Sequence, residues 1–367
     1  MYSNAGEMRL VSLNGEALGL NELGDVVGSQ HDIGGPPFPF HDGAEGTHYL
    51  NPFGVFAPLA LGTASGVNES RQAVGAASDG QARHAFLLQL PATDGALDLH
   101  PEGAQASSAV AINDLGDVVG VVTTNGETHG VVWHPAGGQM QMEDLDLTLG
   151  QDFTPSALNN VGEMVGDTLV SGRRRAARLA NGSLTDLGAL GGISSTATGV
   201  NEAGQIVGYA VSADGTMRAF VWTGGAMYDL SQCLVGAPGT ALLQATAIND
   251  AGSIVAWGVT ETSPGYSVVR GFVLTPATPA AIIGGLIDVV ERLVDDGTLN
   301  GGQGNSLIKK LEQALATLGA GDTKKAVTML EAFIHEVRAF KNAGILDPAQ
   351  ADELIATAEA VIASISG

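Results

Sequence analysis

Ile112-Asn113-Asp114-Leu115-Gly116-Asp117-Val118-Val119-Gly120 decides the fold, because the chain repeats it. An apolar residue, Asn, a short polar turn, two apolar residues and usually Gly recur at Leu20–Gly28, Val67–Gly75, Leu158–Gly166, Val200–Gly208 and Ile248–Ala256. The six Asn residues (Asn21, Asn68, Asn113, Asn159, Asn201, Asn249) lie 47, 45, 46, 42 and 48 positions apart. Gly supplies positive φ, and Asn or Asp bonds back to the turn backbone, so each copy reads as a hairpin. A period of about 46 residues is the length of one four-stranded propeller blade.

Working outward from the turn, each repeat yields four short strands. A strand of small residues precedes the Asn, as in Ser108–Ile112 and Ala245–Ile248. A Val-Val-Gly-like strand follows the turn. A third strand reads His84-Ala85-Phe86-Leu87-Leu88, His129-Gly130-Val131-Val132-Trp133, Arg218-Ala219-Phe220-Val221-Trp222 or Arg270-Gly271-Phe272-Val273-Leu274. The fourth ends in Asp-Leu, at Asp98-Leu99, Asp144-Leu145, Asp186-Leu187 and Asp229-Leu230. Alternation of apolar and polar residues at period 2 favours strands over helices. The sixth repeat runs out after its third strand. Gly6-Glu7-Met8-Arg9-Leu10-Val11-Ser12-Leu13 matches the fourth strand of the fifth repeat, Gly224–Leu230, and is expected to close the ring, removing two open sheet edges.

The charges fall into two regimes. Residues 1–281 hold nine Arg, no Lys and 27 Asp+Glu, a net of −18; residues 282–367 hold five Lys, two Arg and 12 Asp+Glu, a net of −5. Gly is frequent in the first part and sparse after Gly304, and Thr275–Ala280, with two prolines, reads as a semi-rigid linker. From Ile282 the apolar residues recur at helical spacing: Ile287, Val290 and Leu293-Val294; then Leu307, Leu311, Leu315 and Leu318 with Gly319 as C-cap; then Ala326, Leu330, Phe333, Ile334 and Val337 behind the cap Asp322; then Leu354, Ala358, Val361 and Ile362 behind Asp347-Pro348. The expected fold is mainly β: a six-bladed β-propeller over 1–281, closed by the N-terminal strand, and a small α-helical bundle over 282–367. A net charge of −23 argues against nucleic acid and anionic membranes. No apolar run is long enough to span a bilayer. One cysteine, Cys233, rules out an intrachain disulfide.

The three recurring motifs, with His84-Ala85-Phe86 intact, resemble the bacterial HAF-repeat family over about 270 residues. The first repeat departs from it with His48-Tyr49-Leu50 and the fourth with Ala176-Ala177-Arg178. The pattern Gly297-Thr298-Leu299, Ser306-Leu307, Lys310-Leu311, Ala314, Leu330, Phe333-Ile334, Val337 and Gly344 is similar to the FIMAH domain, a helical module of bacterial secreted proteins. Both resemblances imply a secreted, extracellular setting. The first seven residues carry neither a basic stretch nor an apolar segment of a signal peptide.

Residues repeated in every blade are expected to do a repeated structural job; a functional site should break the symmetry. The turn Asn residues are expected to serve their own hairpins. Trp133, Trp222 and Trp257 are expected to fill space between blades. The first repeat stands out: Ser29 to His48 reads as a loop about twice as long as its counterparts, with His31, Asp32, His41, Asp42 and His48. Imidazole and carboxylate can hold a divalent metal, for which His31, Asp32 and His41 are the candidates, or act as base and orienter. The fourth repeat places Arg173, Arg174 and Arg175 in the corresponding loop, where guanidinium forks could bind an anion. The bland alternative is a solvated charge cluster. No glycine-rich phosphate loop, Gly-x-Ser-x-Gly elbow or His-Glu-x-x-His helix occurs, and no organic cofactor is expected. The expected function is a monomeric secreted module that binds a glycan or an extracellular protein. The competing reading is a hydrolase or lyase acting on an acidic polysaccharide at the axial mouth of the propeller.

Overall fold

The structure is a computed structural model that describes residues 15–31, 37–53, 61–78, 80–234, 240–263 and 266–366. The chain divides into two compact units, Met1–Gln232 with Ala241–Leu274, and Cys233–Thr240 with Thr275–Gly367. The first unit is built of six sheets. Blade 1 holds β1 (Gly15–Leu20), β2 (Val26–His31), β3 (Pro37–Gly43) and β4 (Gly46–Tyr49). Blade 2 holds β5 (Gly62–Val67), β6 (Gln72–Ser78), β7 (Arg83–Gln89) and β8 (Leu97–Asp98). Blade 3 holds β9 (Ala106–Ile112), β10 (Val118–Thr124), β11 (Glu127–Ala136) and β12 (Gln139–Asp144), followed by the short helix α1 (Leu145–Leu149). Blade 4 holds β13 (Thr154–Leu158), β14 (Met164–Val170), β15 (Arg173–Ala180) and β16 (Ser183–Gly188). Blade 5 holds β17 (Gly191–Val200), β18 (Ile206–Ser212), β19 (Met217–Thr223) and β20 (Ala226–Asp229). Blade 6 holds β21 (Thr240–Ile248), β22 (Ile254–Ser263) and β23 (Tyr266–Leu274). Each sheet runs in sequence order, so the unit is a six-bladed β-propeller of consecutive meanders.

The core is divided into layers, one between each successive pair of blades from 1 to 5. Val27 and Leu50 of blade 1 pack on Ala64, Phe86 and Leu88 of blade 2. Val74 and Leu99 of blade 2 pack on Ala109, Val131 and Trp133 of blade 3. Val119, Val132, Leu145 and Phe153 meet Met164, Ala177 and Leu179 between blades 3 and 4. Val165, Ala176 and Leu187 meet Ala197, Ile206 and Phe220 between blades 4 and 5. Small residues on the first and second strands let the sheets approach. The second-strand Gly shows how closely: a Cβ on Gly120 would lie 2.0 Å from the Ser108 carbonyl oxygen, where β9 shifts register against β10.

The turn Asn side chains do more than serve their own hairpins. Asn113 Oδ1 accepts from the Asp117 N–H (2.9 Å), as expected. Its Nδ2 donates to the Asn159 carbonyl oxygen of the next blade at 3.1 Å. The same link joins Asn21 to Asn68 (3.0 Å), Asn68 to Asn113 (3.0 Å), Asn159 to Asn201 (3.0 Å) and Asn201 to Asn249 (3.1 Å). The next turn residue makes a second ladder: the backbone N–H groups of Glu22, Glu69, Asp114, Asn160 and Glu202 each donate to the side-chain oxygen of their counterpart one blade on, at 2.7–2.9 Å. Asn is needed at the first position because it offers an acceptor and a donor together. The five donors of the Asn ladder are buried; Asn249, in the last blade, is exposed.

Two assignments change in blades 1 and 4. Residues 37–43 form the third strand of blade 1 and residues 46–49 the fourth, so Ser29 to His48 is no single loop and His48-Tyr49-Leu50 is not the third-strand motif. Three prolines, Pro36, Pro37 and Pro39, mask the strand in the sequence. The carbonyl of Pro39 accepts the Leu50 N–H, so its side of the backbone faces β4; Pro37 faces the same way and both precede the four-residue pairing with β4. Neither proline therefore takes a donor from the β2–β3 ladder. In blade 4, Arg173–Arg175 open strand β15, and only Ser171-Gly172, both at positive φ, make the turn. Blade 6 has three strands among the described residues, leaving β23 as an edge. The expected closing strand, residues 6–13, lies outside the described residues.

The second unit contains α2 (Pro279–Asp295), α3 (Gly301–Gly319), α4 (Thr323–Asn342) and α5 (Pro348–Ser366). The expected linker proline Pro279 instead starts α2, at the first position after the N-cap Thr278, so the helix begins before Ile282. Asn300 and Gln303 form a capping box on α3, and Asp322 caps α4. Gly319 is the last residue of α3 rather than its cap; Gly321 takes the positive φ that turns the chain. Ile283, Leu286, Val290, Leu307, Leu311, Leu330, Phe333, Val337, Leu354 and Val361 make one core. No described helix is long and apolar enough to cross a membrane.

Candidate functional site

The first repeat sets His41 and His48 opposite each other and His31 further along the sheet. His31 pairs with Pro37 at one end of the β2–β3 ladder and His41 with Val27 towards the other. Four residues of strand separate these pairs, roughly 13 Å. The side chain of His31 and all of Asp32 lie outside the described residues. His41 is buried and its Nε2 meets Asp25 Oδ1 at 2.7 Å, while Arg71 of blade 2 forks the same carboxylate with Nε and Nη2 at 2.9 Å each. Burial raises the Asp25 pKa, but the bonds from Arg71, His41 and Asn21 outweigh it, so the carboxyl sits below its usual value. Asp42 takes the third-strand position that Trp133 fills in blade 3, and accepts from the Thr47 hydroxyl at 2.5 Å. His48 is opposite His41 on β4, and its Nε2 is buried with no hydrogen-bond partner. These side chains tie blade 1 to blade 2. Among the described residues no three His, Cys, Asp or Glu side chains come together as a metal site.

Of the three arginines, Arg174 is bound within blade 4. Arg174 Nη1 contacts Asp152 Oδ1 at 2.5 Å, Asp167 Oδ1 at 3.0 Å and the Thr154 hydroxyl at 3.1 Å. Burial raises the Asp167 pKa, and Arg174 partly offsets it. Arg175 Nε faces Asp186 Oδ1 at 3.4 Å. This last pair repeats elsewhere: His84 Nδ1 meets Asp98 at 2.9 Å and His129 Nδ1 meets Asp144 at 2.8 Å. The other oxygen of Asp98 and of Asp144 accepts a backbone N–H just beyond it, from His100 or Leu147, and Asp186 Oδ1 accepts the Gly188 N–H. In blades 2, 3 and 4 a third-strand His or Arg thus stands beside the Asp of Asp-Leu. Of the three arginines, Arg173 is the exposed tip at the hairpin.

Symmetry is broken instead at the outer grooves between blades. Trp133, Leu179 and Trp222 are equivalent: each pairs with the fifth residue after its repeat Asn, namely Val118, Met164 and Ile206. Trp133 fills the groove between blades 2 and 3, donating Nε1–H to the Leu99 carbonyl at 3.1 Å, and leaves about 190 Å³. Trp222 stands between blades 4 and 5 with Arg178 over its ring at 5.8 Å, and Arg178 in turn binds Glu163. At Leu179 the indole is missing, and the groove between blades 3 and 4 opens to about 410 Å³. Helix α1 widens it further. Asp144 caps α1, Gly150 ends it at φ +64, and Asp146 accepts the Phe153 N–H at 2.9 Å to anchor the exit. Burial raises the Asp146 pKa, against the lowering effect of that N–H.

The groove has two kinds of wall. Leu145, Leu149, Met164, Leu179 and Leu184 are aliphatic; His134, Glu143, Thr148, Gln151, Asn181 and Ser183 are polar. His134 is oriented: its Nδ1 meets Asp117 Oδ1 at 2.8 Å, and its Nε2 stands 4.0 Å from Glu143 Oε2. None of these residues was singled out from the sequence. Two signals point to them: Leu179 between two grooves that hold Trp133 and Trp222, and the turn Leu145–Gln151 between the Asp-Leu unit and the next blade. Neither is visible until the strands are aligned blade on blade.

Fold and groove together define a six-bladed propeller with an enlarged cleft between blades 3 and 4, followed by a helical bundle. The bundle sequence, residues 283–363, matches the FIMAH domain. No curated protein matches the chain. Among solved structures, a mutant of the Aleuria aurantia lectin in complex with alpha-methyl-L-fucoside aligns over 73% of this chain and 95% of its own, at 12% sequence identity and a TM-score of 0.33.

Proposed function

We propose that the protein is an extracellular binding module whose propeller holds a glycan in the groove between blades 3 and 4. The observation that carries the reading is the cleft of about 410 Å³ at Leu179, between grooves that hold Trp133 and Trp222; its volume is within the usual range for small-molecule sites. A sugar ring presents hydroxyls at its edge and C–H groups on its face. The cleft offers amide, hydroxyl, imidazole and carboxylate groups beside an aliphatic wall, which suits both. The likeness of the repeats to HAF-repeat proteins and of the bundle to the FIMAH domain supports the extracellular setting. A second reading rests on His134: an imidazole oriented by Asp117, with Nε2 towards the cleft, has the arrangement of a general base, as a hydrolase or lyase requires. One experiment separates them. The full chain is incubated with a panel of neutral, basic and acidic polysaccharides, scored for retention and for shortened products. A binder retains one polymer unchanged, and Leu179→Trp, which copies the neighbouring grooves, abolishes retention while leaving the melting temperature within a few degrees. Product release lost in His134→Ala would establish the enzyme instead. Equal retention by the parent and Leu179→Trp would place the site elsewhere.

A further inference from the structure

Resting on that reading, we infer that the groove between blades 3 and 4 selects a sugar carrying a free, protonated amine, with Glu143 as its counter-ion. No Lys or Arg lines the cleft. Residues 139–152, which run along one side of it, hold Glu143, Asp144, Asp146 and Asp152 and no cation. Three of these carboxylates have work already. Asp144 binds His129 and caps α1, Asp146 holds the Phe153 N–H, and Asp152 takes Arg174. Glu143 has no comparable bond. Its nearest partner is His134 Nε2 at 4.0 Å, and that imidazole is already engaged by Asp117 through Nδ1. The Glu143 side chain is 44% exposed, at the rim of the cleft, where it can meet a bound ligand without prior desolvation. An ammonium there gains a charge-assisted hydrogen bond, whereas a uronate would meet a carboxylate inside a domain of net charge −18. Of the arginines that suggested an acidic ligand, Arg174 is bound to Asp152 and Asp167 and Arg175 stands beside Asp186, and none of the three lines the cleft.

The test is calorimetric titration of the full chain with a β-linked glucosamine oligomer, its fully N-acetylated counterpart and oligogalacturonate. The amine oligomer should bind about tenfold tighter than the acetylated one, and oligogalacturonate should not bind. Glu143→Gln should bring the two amino-sugar affinities to within about twofold of each other. Undiminished binding of the acetylated oligomer by the variant shows that it is folded. Added salt should weaken binding of the amine oligomer alone. Equal affinities in the parent, or a preference that survives Glu143→Gln, would overturn the inference and leave the groove reading standing. A lysine-rich peptide that binds more tightly than the glucosamine oligomer, and loses that affinity in Glu143→Gln, would overturn it in favour of a basic protein partner. If no saccharide binds, or if Leu179→Trp binds as the parent does, the groove reading fails and the inference with it.

Discussion

At the residue scale, one amide explains the repeat. Asn113 accepts a hydrogen bond within its own turn and donates one to the Asn159 carbonyl of the next blade. Asn113→Ala leaves the Asp117 N–H and the Asn159 carbonyl without their partners, which should cost about 2–3 kcal/mol. For a domain this size that is a fall in melting temperature of about 4–10 °C by differential scanning calorimetry. Asn113→Asp keeps the acceptor but loses the donor and should be no better. A drop of under 1 °C in both variants would remove the ladder from the account. The in-turn half of this role is legible in the sequence, because Asn before x-x-Gly is turn chemistry. The interblade half is not, because it depends on how far one sheet sits from the next.

At the scale of the element, strand order and period were legible wherever a repeat kept its motifs. Blades 2, 3 and 5 follow the expected Asn turn, Val-Val-Gly strand, His-Ala-Phe-like strand and Asp-Leu close. Blade 1 reads differently in the sequence because Pro37 and Pro39 speak against a strand until their missing donors are seen to face away from β2. The histidines of that blade then changed meaning: His41 went from a loop ligand to a buried partner of Asp25. The close packing of second on first strands gives a sharper prediction. Gly120→Ala drives a methyl into the Ser108 carbonyl and should destabilise the protein by about 3 kcal/mol. Gly271→Ala on β23 meets nothing within 4 Å and should change stability by less than about 0.5 kcal/mol. Urea unfolding of the two variants side by side checks the contrast, and equal costs would contradict it.

At the scale of the molecule, blade 6 and blade 1 carry the question of closure. Val269 and Val273 on β23 are 68% and 62% exposed, and Leu20 on β1 is 58% exposed. Such apolar strand surfaces are normally covered. Residues 6–13 have the pattern of a fourth strand for blade 6, which has three among the described residues, so removal of residues 1–13 should cause aggregation or a large loss of thermal stability. An unchanged melting temperature would exclude that strand from the fold. The candidate site belongs to this scale too, since it is a gap between two blades. The sequence shows Leu179 and Glu143 as ordinary residues, and only the register shows that the first stands where Trp133 and Trp222 stand.

The central claim is that the groove between blades 3 and 4 is the ligand site. A crystal structure of the full chain soaked with a β-linked glucosamine oligomer tests it most directly. The expected result is a sugar ring against Leu149 and Leu184 with its amine within hydrogen-bond reach of Glu143. Sugar density ordered at another groove or at the axial mouth, with the Leu179 groove filled only by solvent, would contradict it.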